Sequence, residues 1–80
     1  MEKQELIVKV NEVLAAEFEV EVSDILSDAE IKTTLQLDSL SLVDMVALIE
    51  ATFNVKITGT EIVQIKTFDA LYDFLLERVK

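Results

Sequence analysis

The sequence contains no cysteine, no histidine and no proline, and its only glycine is Gly59. Disulfides are therefore excluded, as are zinc sites of the usual ligands and the Ser-His-Asp and Cys-His forms of nucleophilic catalysis. Glycine-rich phosphate loops and dinucleotide fingerprints are also missing, and no spacing of acids matches a calcium loop. We expect neither an enzyme nor a metal site. The scarcity of turn-forming residues favours helices over a β-sandwich.

Aromatic residues and long apolar runs are scarce as well. Aromatics make up 6% of the 80 residues and hydrophobic residues 51%, so a single domain over residues 1–80 would have a mostly aliphatic core. No apolar run approaches the roughly 20 residues that a membrane span needs. The N-terminal MEKQEL is charged and lacks the apolar core of a signal peptide. We expect a cytoplasmic protein with no membrane span.

Basic residues are few. Sixteen acids against seven bases give a net charge of −9. Such a surface repels a phosphate backbone, so we expect no nucleic-acid partner. It attracts basic proteins and speeds their encounter, although a solvated face that keeps the chain soluble explains the same charge.

The hydrophobic periodicity predicts an all-α fold, a small four-helix bundle of three longer helices and one short one. The predicted helices cover residues 3–18, 39–53, about 59–65 and 68–80. Residues 19–37 are predicted to form a long loop between the first two helices. We expect one helical turn near residues 23–26, and Ile25, Ile31 and Leu35 to fix this loop to the core. Thr58 and Thr67 are the predicted N-caps of the last two helices.

The second predicted helix begins at Asp38-Ser39-Leu40 and is more apolar than a surface helix requires. Its expected buried face consists of Leu40, Val43, Val46, Ala47, Ile49 and Phe53. The surplus, Leu42, Met45 and Leu48, is covered either by the long loop or by a partner protein.

The sequence allows two interpretations of Ser39. Asp38 or Ser39 can simply cap the helix, which is the common use of both residue types. Alternatively, the exposed Ser39 hydroxyl is an attachment point. A phosphate ester on it would lie at the positive end of the helix dipole, near unpaired backbone N–H groups.

The segment LQLDSLSLVDMVALIEATFNVKI, residues 35–57, resembles the modification segment of acyl carrier proteins. The size, the acidity and the predicted helices agree with that family over nearly the whole chain. The resemblance implies that Ser39 carries covalent 4′-phosphopantetheine, transferred from coenzyme A by a carrier protein synthase. The thiol of this arm would hold acyl groups as thioesters, in fatty-acid synthesis or in a specialised lipid or polyketide pathway.

The resemblance also implies two sets of contact residues and a monomeric carrier. Partner enzymes with basic patches would dock on Asp38, Leu40, Val43, Asp44 and Glu50. The acyl group would lie between the helices, against Val46, Ile49, Phe53, Ile57, Ile62 and Ile65. These six apolar residues are equally expected in an ordinary core, and the two roles are compatible.

Some positions depart from the family pattern. Gln36 stands where glycine is usual, and Ala51 and Thr52 stand where acids are frequent. The second helix is therefore less acidic than in the housekeeping carrier, which indicates a specialised member with its own partners. Two alternatives stay open: a carrier of aminoacyl groups, of the D-alanyl or peptidyl type, and an unmodified helical interaction domain in which Ser39 is part of a cap.

Overall fold

A computed structural model of the chain describes residues 2–79. Within that range the fold is helical and the core is formed by 14 buried apolar side chains. No helix in this part of the chain combines the length and apolarity needed to cross a membrane. The elements, in chain order, are α1 (Lys3–Phe18), a 3₁₀ helix (Val22–Asp24), α2 (Ile31–Leu35), α3 (Ser39–Phe53), α4 (Gly59–Ile62) and α5 (Phe68–Arg78).

The two terminal helices, α1 and α5, pack against each other. Leu6, Val10 and Leu14 recur every four residues along α1, and all three are fully buried. One polar contact interrupts this apolar interface: the hydroxyl of Tyr72 donates to the side-chain oxygen of Asn11. Because both partners are buried and bonded to each other, neither polar group is left unsatisfied. Of the predicted last helix, residues 68–78 are helical, and Lys80 lies outside the described residues.

The predicted long loop contains more structure than the sequence indicated. The single predicted turn near residues 23–26 is the 3₁₀ helix, and the five-residue α2 was not predicted. Ile25, Ile31 and Leu35 are buried, as expected. A helix of this length shows barely one turn of periodicity, and tertiary packing rather than sequence pattern stabilises it.

Backbone hydrogen bonds join the α1–α2 connection to the start of α5. The N–H of Ile31 donates to the carbonyl of Lys66 at 2.9 Å, and the N–H of Asp69 donates to the carbonyl of Ser27 at 2.8 Å. These bonds satisfy backbone groups in an irregular segment that would otherwise need water. They also fix the position of α2 beside the entry to α5.

The buried face of α3 differs from the prediction. Leu40, Val43 and Ala47 were expected to face inward, but all three are exposed, and Met45 and Ile49 are the buried residues. Because α3 is apolar on almost every side, its periodicity leaves more than one face eligible for burial. Packing against the other helices determines which face of α3 is buried.

Both predicted threonine caps are present. The Thr58 hydroxyl accepts from the N–H of Glu61 while the Glu61 carboxylate accepts from the N–H of Thr58, which is a complete capping box. Thr67 accepts from the N–H of Ala70 at 3.3 Å. The predicted third helix is shorter than expected, because α4 ends at Ile62.

Candidate functional site: the start of α3 and the adjoining cavities

Ser39 is the first residue of α3, and its side chain is exposed. The residue before it, Asp38, has extended backbone angles and is the N-cap. Its Oδ1 accepts from the N–H of Ser41 at 2.8 Å. Of the two residues that could cap this helix, Asp38 therefore does so, and the Ser39 hydroxyl is left accessible to solvent.

The electrostatics at the start of α3 favour a phosphate ester on the Ser39 oxygen over acid–base catalysis. Ser39 lies at the N-terminus of a 15-residue helix, where the dipole is positive and favours anions. The hydrogen bond from the Ser41 N–H, with a further one from the Ser41 side chain, holds the pKa of Asp38 below its ordinary value. Asp38 is thus a charged cap with Oδ1 bonded to the Ser41 N–H.

The solvent-facing side of α3 next to Ser39 is apolar with one acid. Leu40 is 77% exposed and Val43 is 64% exposed. Asp44 and Ala47 are exposed beside them, at the helical spacing of three and four residues. We call Leu40, Val43, Asp44 and Ala47 the α3 face. Large apolar side chains this exposed and this close together are typical of a contact surface.

Glu50, the other acid of α3, has a contact within the chain. Its Oε2 accepts from the backbone N–H of Ile57 at 2.8 Å, and the residue is only half-buried. This hydrogen bond ties the segment after α3 back to the helix. Unlike Asp44, Glu50 has one carboxylate oxygen committed to the fold, which leaves Asp44 the more available acid for a partner.

A cavity of about 190 Å³ opens beside α3, between α2 and α4. Its walls are mainly aliphatic, and lysine and glutamate side chains stand at its edge. The lining residues are Glu30, Ile31, Lys32, Leu42, Met45, Ile62, Val63, Ile65 and Lys66. Leu42 lies one helical turn from Ser39, so the cavity begins within reach of a flexible group attached to that serine.

A second cavity, also of about 190 Å³, lies on the other side of Leu42. It is lined by Leu42, Val43, Val46, Ile57, Thr58, Gly59 and Ile62. Because Leu42 and Ile62 border both cavities, these two side chains form the partition between them.

Four of the six residues predicted to line an acyl site border these cavities. Ile62 and Ile65 line the first, and Val46, Ile57 and Ile62 line the second. Ile49 is buried in the core, and Phe53 is half-buried with the Lys9 ammonium 6.0 Å from its ring centre. The sequence prediction missed the cavity wall residues Leu42, Met45 and Ile31, although the apolar surplus of α3 was the available signal for the first two.

The chain is similar to known proteins over nearly its whole length. The family model described as a phosphopantetheine attachment site matches residues 8–75, which include Ser39. The acyl carrier protein of Petrotoga mobilis is 34% identical over 79 residues, covering 99% of this chain and 93% of that protein. The acyl carrier protein of Guillardia theta is 32% identical over 79 residues, covering 99% and 98%.

The chain belongs to the acyl carrier protein family. The solved structure of an acyl carrier protein from Enterococcus faecalis superposes with a TM-score of 0.79 at 26% identity, over 96% of this chain and 98% of that one. The fold expected from the resemblance is therefore confirmed. Membership in a carrier family also fits a site that offers an accessible hydroxyl beside mainly apolar cavities.

Proposed function

We propose that this protein carries acyl groups as thioesters on a 4′-phosphopantetheine arm attached to Ser39. The observation that supports this most directly is the exposed Ser39 hydroxyl at the first position of α3. This hydroxyl is not used as a helix cap, because Asp38 caps the helix. It lies within the segment that matches a phosphopantetheine attachment site. The arm would supply a thiol to a chain that has no cysteine of its own.

A carrier protein synthase would make the attachment. The Ser39 oxygen forms a bond to the phosphorus of the phosphopantetheine end of coenzyme A, and the nucleotide bisphosphate leaves with the electrons of the broken P–O bond. The serine proton passes to a base of the synthase, because this chain has no histidine and its nearest carboxylate, Asp38, is a weakened base. The role of Ser39 here is to present an oxygen at the positive end of α3.

The cavities would shelter part of the acyl cargo. An apolar protein cavity of about 150 Å³ is known to bind benzene, so each cavity here has room for an apolar group of roughly six carbons. The lining side chains include Leu42, Val46 and Ile62, which offer no polar group to a hydrocarbon chain. Longer acyl groups would need the partition to move or the two cavities to join.

Partner enzymes would approach through the α3 face and the flanking Asp38. Leu40 and Val43 offer apolar contact, and Asp44 offers one carboxylate to a basic patch. Because Glu50 is tied to Ile57, its contribution to docking would be smaller. A surface with more apolar area than charge suits the dedicated partners of a specialised carrier in a lipid or polyketide pathway.

Mass spectrometry after co-expression with a carrier protein synthase tests the attachment. The wild-type chain should gain the mass of one phosphopantetheine group, and Ser39→Ala should gain none. The matched control is Ser41→Ala, which removes a neighbouring hydroxyl on the same helix and should leave the gain intact. A wild-type chain that stays unmodified with every synthase tried would instead indicate a helical interaction domain.

Loading assays distinguish the acyl from the aminoacyl carriers. The modified chain should accept fatty acyl groups from an acyl ligase and should be a poor substrate for ligases that activate D-alanine or other amino acids. Leu40, which follows Asp38-Ser39, supports the acyl assignment, and so does the aliphatic lining of both cavities. Efficient loading with an amino acid alone would contradict it.

A further inference from the structure

One wall of the second cavity is formed by a segment with little regular structure. Residues 55–62, here named the α4 wall, comprise the α3–α4 connection and the four-residue α4. Ile57, Thr58, Gly59 and Ile62 of this wall line the second cavity, and Ile62 lines the first as well. A helix of one turn is unstable by itself, so contacts with longer helices must set the position of this wall.

Arg78, the last residue of α5, makes contacts that hold the α4 wall. Its guanidinium forms an ion pair with the carboxylate of Glu61. Its Nη1 donates to the carbonyl oxygen of Lys56 at 3.2 Å. The same guanidinium lies 4.5 Å from the ring centre of Phe74, one turn earlier on α5. The side chain of Arg78, on α5, therefore contacts the α4 wall near both of its ends.

Glu61, the ion-pair partner of Arg78, also forms the hydrogen bonds that cap α4. Oε1 of Glu61 accepts from the N–H and the hydroxyl of Thr58, at 3.0 and 3.1 Å, and thereby closes the capping box. Oε2 is the oxygen that meets Arg78. The hydrogen bond from the Thr58 N–H, and to a smaller extent the charge of Arg78, hold the pKa of Glu61 below its ordinary value. This carboxylate therefore stays charged near neutral pH. Losing Arg78 therefore leaves the cap in place and frees only the tie to α5.

The opposite side of the wall is held from α3. Glu50 accepts from the N–H of Ile57 at 2.8 Å, so one acid on α3 and one base on α5 fix the same short segment. A planar guanidinium can bond two acceptors in fixed directions, which an ammonium group cannot do in the same way. Opening the second cavity requires the α4 wall to move away from α3, and that motion separates Glu50 from Ile57. It also strains the contacts of Arg78 with Lys56 and Glu61.

We propose that Arg78 is a positioning residue that limits how far the α4 wall opens and thereby sets the length of acyl group that the second cavity accepts. The part concerning acyl length rests on the proposed function, whereas the part concerning the wall rests on the contacts alone. The limit on acyl length is then set from the C-terminus of α5, by a residue that is not part of either cavity lining.

The first experiment compares acyl groups of increasing length on Arg78→Met. Methionine keeps an unbranched apolar stem against Phe74 but cannot bond Glu61 or Lys56. The measured quantity is the rise in melting temperature when each acyl group is loaded. In the wild type this rise should level off at a certain length, and in Arg78→Met it should level off about two methylene groups later, because added methylenes find room to be buried.

The matched control is Lys3→Met. It removes the same charge and another ion pair of α5, between Lys3 and Asp73 at 3.1 Å, away from both cavities. It should lower the melting temperature of all forms alike and leave the preferred length unchanged. Arg78→Lys, which can still pair with Glu61, should restore part of the wild-type limit. An unchanged length profile in Arg78→Met would overturn the proposal.

The second experiment does not depend on any modification of Ser39. Hydrogen exchange on the unmodified chain reports the opening of α4 through the amides of Ile62 and Val63, which donate to the carbonyls of Thr58 and Gly59. Arg78→Met should speed exchange at these amides by about tenfold relative to the amides of α1, and Lys3→Met should not. Equal acceleration in α1 and α4 would show that Arg78 stabilises the whole fold and would overturn the proposal. Failure of the synthase to modify the wild type would count against the proposed function, and the exchange data would still decide the role of Arg78 in the wall.

Discussion

Gln36 has a left-handed backbone at the end of α2, with a φ of 54°. Glu19 and Asn54 end α1 and α3 in the same way, with φ of 56° and 55°. This conformation suits glycine best and asparagine next, and it is unfavourable for a glutamine or a glutamate. A glycine, the residue that the resemblance to the family led us to expect at position 36, would adopt this backbone angle without strain.

Gln36→Gly should therefore stabilise the protein. The left-handed conformation costs a residue with a side chain about 1–2 kcal/mol. Glycine avoids this cost, but its greater freedom in the unfolded chain offsets roughly 0.4–1 kcal/mol of the gain. We expect the free energy of unfolding in urea to rise by about 0.5–1 kcal/mol. Ala16→Gly, at an exposed position inside α1, is the control and should lower the same quantity by about 1 kcal/mol. A lower urea midpoint for Gln36→Gly would show that the side chain at position 36 makes a contact worth more than the strain.

Asp38 and Ser39 show what a sequence can decide about a single site. The triplet with leucine identified the position, because a short polar pair before an apolar run predicts a helix start. It could not assign the cap, since both residue types are good caps. That choice depends on the backbone angles of Asp38 and on which oxygen reaches the N–H of Ser41.

The longer elements were predictable and the short ones were not. The bounds of α1 and α3 follow from runs of about four turns, long enough for a period of 3.6 residues to show. The five-residue α2 and the ends of α4 depend on contacts with residues distant in sequence, such as the bond from Ile31 to Lys66. The cavities share this dependence, because α2, α3 and α4 together form their walls.

The buried face of α3 shows a different limit. Where nearly every position is apolar, periodicity alone gives no unique inward direction. Leu40 and Val43 are exposed although they fit the pattern of a core. The residues predicted as surplus, Leu42, Met45 and Leu48, are instead buried or half-buried against the core, so the large apolar side chains that α3 leaves exposed are Leu40 and Val43.

Asp44→Lys tests the α3 face as a docking element. Asp44 is exposed, and the only other acid of α3, Glu50, is bonded to Ile57. Reversing the charge at position 44 should slow modification by the synthase by on the order of tenfold at low salt and make the remaining rate less sensitive to salt. The initial rate of phosphopantetheine transfer is the measurement.

Glu12→Lys provides the control for that experiment. It makes the same change in net charge on the exposed side of α1, away from Ser39. Its transfer rate should stay close to that of the wild type. Equal slowing in both variants would mean that the synthase responds to total charge and would remove the α3 face as a specific docking surface.

At the scale of the whole molecule, the negative charge acts on a very small body. The net charge is −9, and the molecule measures 29 × 27 × 21 Å. At 0.01 M salt the screening length is about 30 Å, so acids on opposite sides still repel one another. At physiological salt it falls to about 8 Å, and the repulsion is confined to neighbours. Folding brings these charges together, so the folded state bears more of the repulsion than the extended chain.

Stability should consequently rise with salt over this range. Between about 0.01 and 0.15 M NaCl we expect a gain on the order of 1 kcal/mol, seen as an increase of about 4–8 °C in melting temperature for a domain of this size. A variant with Glu12, Glu17 and Glu21 changed to glutamine removes three exposed acids and should show a higher melting temperature at low salt with a smaller increase. The exposed ion pairs of Lys3 weaken with salt and oppose the trend, but two such contacts are minor beside sixteen acids. A melting temperature that stays constant or falls as salt is added would mean that local ion pairs, and not overall repulsion, dominate the electrostatics of this fold.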